Sequence, residues 1–287
     1  MGDITLTYLE HFYIGKSLEV KGEIEEAIEH YTLAANNGIY KAIRHLSMLY
    51  YNGELIDKNV DNAFELFKQI YGNFDNIIKE LEELDEEEFE EEDVDIDDEI
   101  NCYSDCVYLL GEIYESRNNI DEAIKCYKLI IKYNPWNEPL CKLGKLYYES
   151  GKYEEAFKYF LEADEDSYFS DFMLGELYFY YYKDYNTALE WYEKAASIGV
   201  EEAAFKMGKI HFYGLGGEKN YSEAFACLLF FDLESWQDFE VEDFTYHDFP
   251  EALYLLGLMF NDGLGTPKNT VLGKMLLEAA EKAGYKE

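Results

Sequence analysis

Apolar residues recur along the chain at helical spacing between short polar turns, and one arrangement repeats within that pattern. An apolar residue is followed by a small one, then by an aromatic three positions on, and an alanine stands about a turn into the next apolar run. The leading pairs are Ile14-Gly15, Leu46-Ser47, Leu110-Gly111, Leu143-Gly144, Leu174-Gly175, Met207-Gly208 and Leu256-Gly257. The aromatic is Tyr50, Tyr114, Tyr147, Tyr178 or Phe260, with Leu18 and His211 as exceptions. In the following run, Ala27, Tyr31 and Ala34, then Ala123, Tyr127 and Ile130, then Ala156, Phe160 and Ala163 each fall on one helical face. Small residues sit where two helices cross closely and aromatics fill the space beside them, so each unit predicts an antiparallel helix pair. Pro135, Pro139, Pro250 and Pro267 lie between the expected helices, and Gly38, Gly199 and Gly284 follow apolar runs as helix-ending glycines do.

Successive small residues are 32, 64, 33, 31, 33 and 49 positions apart, the period of a stacked helical array. The pattern predicts one all-α domain over residues 1–287, with insertions at 73–101 and 232–249. In the first, Phe74, Ile77, Ile78, Leu81 and Leu84 keep helical spacing and predict an extra amphipathic helix docked on the second unit. The acidic run from Asp85 to Glu99 is expected to be mobile through self-repulsion. In the second, Trp236, Phe239, Phe244, Tyr246 and Phe249 alternate with acids. Such rings seek burial, against the neighbouring units or in a partner's pocket.

The first, third, fourth and fifth units have 12 or 13 residues from the small residue to the alanine and resemble tetratricopeptide repeats; Gly111, Tyr114, Ala123, Tyr127 and Pro135 match closely. The second, sixth and seventh have 16, and Tyr213-Gly214-Leu215-Gly216 and Asp262-Gly263-Leu264-Gly265 occupy the lengthened turn. These resemble Sel-like repeats (suppressor-enhancer-of-lin type), as does Trp191-Tyr192-Glu193-Lys194-Ala195-Ala196. The resemblance implies a right-handed superhelical solenoid of about seven antiparallel helix pairs. Its first helices would line a concave face that binds proteins rather than catalyses a reaction.

Charge narrows the partners. Lys and Arg number 24 against 61 Asp and Glu, a net −37 that repels nucleic-acid phosphates and anionic lipid headgroups. No phosphate loop, dinucleotide fingerprint, nucleophile elbow or zinc-protease motif occurs, so no enzyme activity, cofactor or metal is expected. The five cysteines form no C-x-x-C pair and no secretion signal is visible, which points to a cytoplasmic protein. With first helices facing inward, positions three before and four or five after each small residue give an aromatic stripe with acids among it. The candidate partner-binding residues are Tyr148, Phe172, Glu176, Phe179, Tyr180, Phe205, Phe212, Tyr213 and Tyr254. Aromatic anchors with an acidic rim suit a basic protein or Lys/Arg-rich peptide, as for an adaptor or inhibitor. A narrower alternative is an immunity protein or antitoxin covering a basic toxin such as a nuclease; a third is an enzyme accessory or hydrolase. Val271, Leu272, Met275 and Leu276 lie on a last helix with no following repeat, which suggests a contact surface there, for self-association or for the partner.

Overall fold

Polar caps and left-handed residues punctuate the apolar runs and set the helix ends. The computed structural model describes residues 7–83, 96–133, 135–163, 167–229 and 250–286. Among these residues are fourteen α-helices and no strand, in seven successive hairpins. They are α1 (Tyr8–Lys21) with α2 (Ile24–Asn36), α3 (Tyr40–Asn52) with α4 (Val60–Glu82), α5 (Ile96–Ser116) with α6 (Ile120–Tyr133), and α7 (Asn137–Glu149) with α8 (Tyr153–Glu162). Then come α9 (Tyr168–Glu176) with α10 (Tyr185–Ser197), α11 (Glu201–Tyr213) with α12 (Tyr221–Leu228), and α13 (Pro250–Asp262) with α14 (Thr270–Lys282). The first helix of the fifth hairpin continues past α9 as a π-helix over Leu177–Tyr182. In every hairpin the first helix is closed by a left-handed residue: Gly22, Gly53, Asn118, Gly151, Lys183, Gly214 or Gly263. The chain divides into two compact units, residues 1–146 and 147–287, with the boundary inside α7.

Within a hairpin the small residue makes room for one large side chain of the second helix. A Cβ on Gly15, Gly111 or Gly175 would lie 2.5, 2.6 or 2.5 Å from a ring carbon of Tyr31, Tyr127 or Tyr192, all fully buried. In the sixth and seventh hairpins Leu228 and Leu277 take that place against Gly208 and Gly257. The lengthened turn has its own requirement. Gly265, at φ +69°, would bring a Cβ within 2.1 Å of the Tyr221 carbonyl oxygen, so the seventh turn presses on the start of α12 and only glycine fits.

The insertions differ from expectation. Phe74, Ile77, Ile78 and Leu81 are buried but form no separate helix; they continue α4, which runs 23 residues. Leu84, Asp85 to Asp95, and the segment 232–249 lie outside the described residues. Ile96 to Glu99, expected to belong to the mobile run, form the first turn of α5, because Arg44 meets the buried Glu99 carboxylate at 3.2 Å and offsets its repulsion. On the last helix Leu276 is buried, whereas Val271 and Met275 are exposed. Four positions past the residue facing the glycine, exposed Glu281 stands where earlier hairpins have buried Ala35 and Ala196.

Candidate partner-binding site

The nine candidate residues all lie in the second unit, on α7 (Tyr148), α9 and its π-turn (Phe172, Glu176, Phe179, Tyr180), α11 (Phe205, Phe212, Tyr213) and α13 (Tyr254). They divide by burial. Phe179 and Phe212 are buried, edge-on to Tyr185 at 5.3 Å and Tyr221 at 5.5 Å, and Phe172 and Phe205 pack half-buried against the same cores. The Tyr254 ring is stacked at 4.6 Å by Tyr285, whose N–H donates to the Ala280 carbonyl and so folds the tail back. Burial, and then the Glu251 charge, push the Tyr213 hydroxyl up. Tyr180 is exposed and Tyr148 half-buried, and these two gather with Glu176.

Glu176 is not a free acidic rim. Its Oε1 accepts hydrogen bonds from the Tyr192 hydroxyl at 2.6 Å and from Lys206 Nζ at 2.7 Å. Lys206 is only 8% exposed; its ammonium lies 3.3 Å from the Tyr180 hydroxyl and 4.8 Å over the Tyr180 ring. Burial alone would lower the Lys206 pKa, but the Glu176 charge and hydrogen bond, with those of Tyr180, together outweigh it and hold the ammonium above its usual range. Burial and then the Glu176 charge push the Tyr192 hydroxyl far up, so it remains a donor.

This clasp recurs. Tyr31 donates to Glu19 at 2.6 Å, and His45 Nε2 meets the same carboxylate at 2.6 Å. Tyr127 donates to Glu115, and Lys142 lies 3.4 Å from Glu115 and 3.0 Å from Glu112. In each case the tyrosine and acid come from an odd hairpin and the basic residue from the next, even one. Hairpins one and two, three and four, and five and six are thus clasped dyads. The basic residue always stands two positions before the small residue of its repeat: His45 before Ser47, Lys142 before Gly144, Lys206 before Gly208. That spacing is legible in the sequence once the repeats are aligned on their small residues, and it lies outside the aromatic stripe.

The remaining junctions are joined otherwise. Between hairpins two and three, Arg117 meets Asp61 at 2.6 Å with its guanidinium 4.0 Å over the Phe64 ring, and Lys132 meets Asp75 at 2.9 Å, 4.3 Å over Tyr133. Between six and seven, Lys209 meets Glu251 at 2.7 Å, 5.4 Å over Phe205. Between four and five, Glu154 on α8 accepts from the Tyr181 hydroxyl at 2.5 Å, and the Tyr153 and Tyr181 rings lie 4.7 Å apart, with Tyr148 edge-on to Tyr153 at 5.5 Å. The Tyr181 hydrogen bond keeps the Glu154 carboxyl below the usual range, and both groups are exposed. Among the described residues no cluster of three or more metal-ligating side chains occurs, and no helix is long and apolar enough to cross a membrane.

Known proteins agree with this architecture. The Sel1 repeat model matches residues 11–39, 41–71, 170–200, 201–229 and 250–285, and a tetratricopeptide repeat model matches 104–135 and 138–165. The first and fifth hairpins, whose turn length resembles the tetratricopeptide type, therefore fall to Sel1. Their second helices close as Ala34-Ala35-Asn36-Asn37-Gly38 and Ala195-Ala196-Ser197-Ile198-Gly199, a feature that turn length does not capture. A Sel1 repeat protein from Oxalobacter formigenes is similar in structure, with TM-score 0.58 and 16% identity over 97% of this chain and 74% of that one. So is c5321, a protective antigen of uropathogenic Escherichia coli with an SLR fold, at TM-score 0.55 and 18% identity over 96% of this chain and 57% of that one. BBSome complex member BBS4 of Bos taurus is 30% identical over 126 residues, 42% of this chain and 23% of that protein, so the match spans about a quarter of that relative's length. With Sel1 repeats covering more than half of its residues, the chain belongs to the Sel1 repeat family.

Proposed function

We propose that this chain is a non-enzymatic scaffold, adaptor or inhibitor that binds a basic protein or Lys/Arg-rich peptide through the tyrosine-lined face of its second unit. The observation that carries this reading is the run Tyr180-Tyr181-Tyr182, each ring 42–47% exposed, on a π-turn beside Tyr148, Tyr153 and the carboxylate of Glu154. Rings of this kind give contact area at small entropic cost, and a net charge of −37 steers a cationic partner toward them. The family supports protein binding as the general role.

The test compares surface-immobilised protein against lysine-rich and glutamate-rich peptides of equal length at low and high salt. The reading expects binding of the basic peptide alone, with an association rate that falls as salt screens the field. Equal binding of both peptides, or of neither, overturns it. A basic nuclease recovered as the cellular partner would narrow the role to that of an immunity protein.

A further inference from the structure

This inference rests on the basic-partner reading and locates the point of recognition. The chain holds its own cations in one recurring way, between a carboxylate and an aromatic face. Arg117 sits between Asp61 and Phe64, Lys132 between Asp75 and Tyr133, Lys206 between Glu176 and Tyr180, and Lys209 between Glu251 and Phe205. Such a seat combines Coulomb attraction with the ring quadrupole. The Glu176 case further shows that a glutamate oxygen already accepting a tyrosine hydroxyl can take an ammonium as a second donor.

At the fourth and fifth hairpins the same parts are present. Glu154 accepts the Tyr181 hydroxyl, and Tyr153 and Tyr181 present two rings tilted by 41° at 4.7 Å. Among the described residues no lysine or arginine forms an ion pair with Glu154; Lys158, one turn further along α8, acts on it only through space. Asp61, which stands in the register of Glu154 two residues before the repeat alanine, is bridged by Arg117, and between hairpins six and seven Lys209 bridges to Glu251. The π-turn places this seat at the surface. It sets Phe179 inward against Tyr192 at 6.4 Å, turns Tyr182 to Phe157 at 6.0 Å, and leaves Tyr181 over α8. Lys183, in the left-handed conformation at φ +57°, ends the turn there.

We infer that Tyr153, Tyr181 and Glu154 form the seat for an arginine side chain of the basic partner, built from the same carboxylate and aromatic groups that hold the chain's own cations elsewhere. Arginine is preferred because a planar guanidinium can stack on one ring while donating to the carboxylate, as Arg117 does on Phe64 and Asp61.

The experiment titrates full-length protein with an acetylated tetra-arginine amide by calorimetry. It compares the wild type with Glu154→Gln, Tyr181→Leu and a control of equal charge change, Glu155→Gln. Glu154→Gln and Tyr181→Leu together are expected to weaken binding about tenfold, and Glu155→Gln less than twofold. Circular dichroism checks each fold; should Tyr181→Leu unfold, Glu154→Gln alone carries the comparison and is expected to lose about threefold. Wild-type binding that Glu154→Gln weakens no more than Glu155→Gln removes the seat and leaves the basic-partner reading standing. No wild-type binding at low salt removes both.

Discussion

Glu176 and Glu154 have the same chemistry and opposite situations. Each accepts a tyrosine hydroxyl, at 2.6 and 2.5 Å, and each lies at a junction between hairpins of the second unit. Glu176 is sunk beneath α11 and filled by Lys206, whereas Glu154 stands at the surface and, among the described residues, has the Tyr181 hydroxyl and no ammonium or guanidinium as its side-chain partner. A carboxylate with an aromatic neighbour is therefore not a binding site by composition alone. What separates the two is a lysine thirty residues further along the chain, which turns one acid into a structural tie and leaves the other open.

The comparison predicts unequal costs. Replacing Lys206 by Met strands a largely buried carboxylate and should lower unfolding stability by about 3 kcal/mol in urea titration, since breaking a buried pair leaves an uncompensated charge. Next comes the glycine under the clasp tyrosine. Gly175→Ala drives a Cβ into the Tyr192 ring and should cost about 2 kcal/mol, while Gly72→Ala in α4, where a Cβ meets nothing within 4 Å, should stabilise by about 0.7 kcal/mol. Equal effects at the two glycines would break the account of the clasp.

A smaller effect follows from pH, because the first clasp uses histidine where the others use lysine. Burial, outweighing the pull of Glu19, holds His45 below its usual 6.5, with Lys16 and Arg44 acting in the same direction. The unfolded chain then takes up the proton first as pH falls. The junction's stability is full above about pH 6.5 and declines as pH drops through the lower folded value. Burial pushes the Glu19 carboxyl up, but hydrogen bonds from Tyr31 and His45 outweigh it and leave it below 4.5, so a second loss follows at stronger acid. Hydrogen exchange should show α1–α3 loosening between pH 7 and pH 5 while the Lys142 and Lys206 clasps hold. The smallest effect is at the open seat, where Glu154→Gln should leave the urea unfolding midpoint essentially unchanged.

The hairpins were legible because the small residue and the aromatic three positions later report a steric fact of two crossing helices, independent of the rest of the chain. The stripe was legible as aromatic but not as exposed or buried. Phe179 and Tyr180 are adjacent in sequence, and a π-turn, which no local pattern announces, sends one into the core and the other to the surface. Glu176 read as a rim acid because its partner, Lys206, lies in the next repeat, and only an alignment of the repeats on their small residues brings the two into register. The junction of α4 and α5 was misread for the same reason: charge counting gave repulsion, and Arg44, more than fifty residues upstream, supplies the compensation.

The alternation of clasps also sets a grammar for how such a chain can lengthen. The two long spacings in the sequence, 64 and 49 residues, fall between hairpins two and three and between six and seven, never within a clasped dyad. Extra residues inside a dyad would have to preserve a three-part hydrogen-bonded alignment across two repeats, whereas residues added between dyads need only let two-residue ion pairs re-form. Two hairpins, rather than one, would then be the increment by which such an array is copied, and a graft or deletion that respects dyad boundaries should be tolerated where one offset by a single hairpin is not.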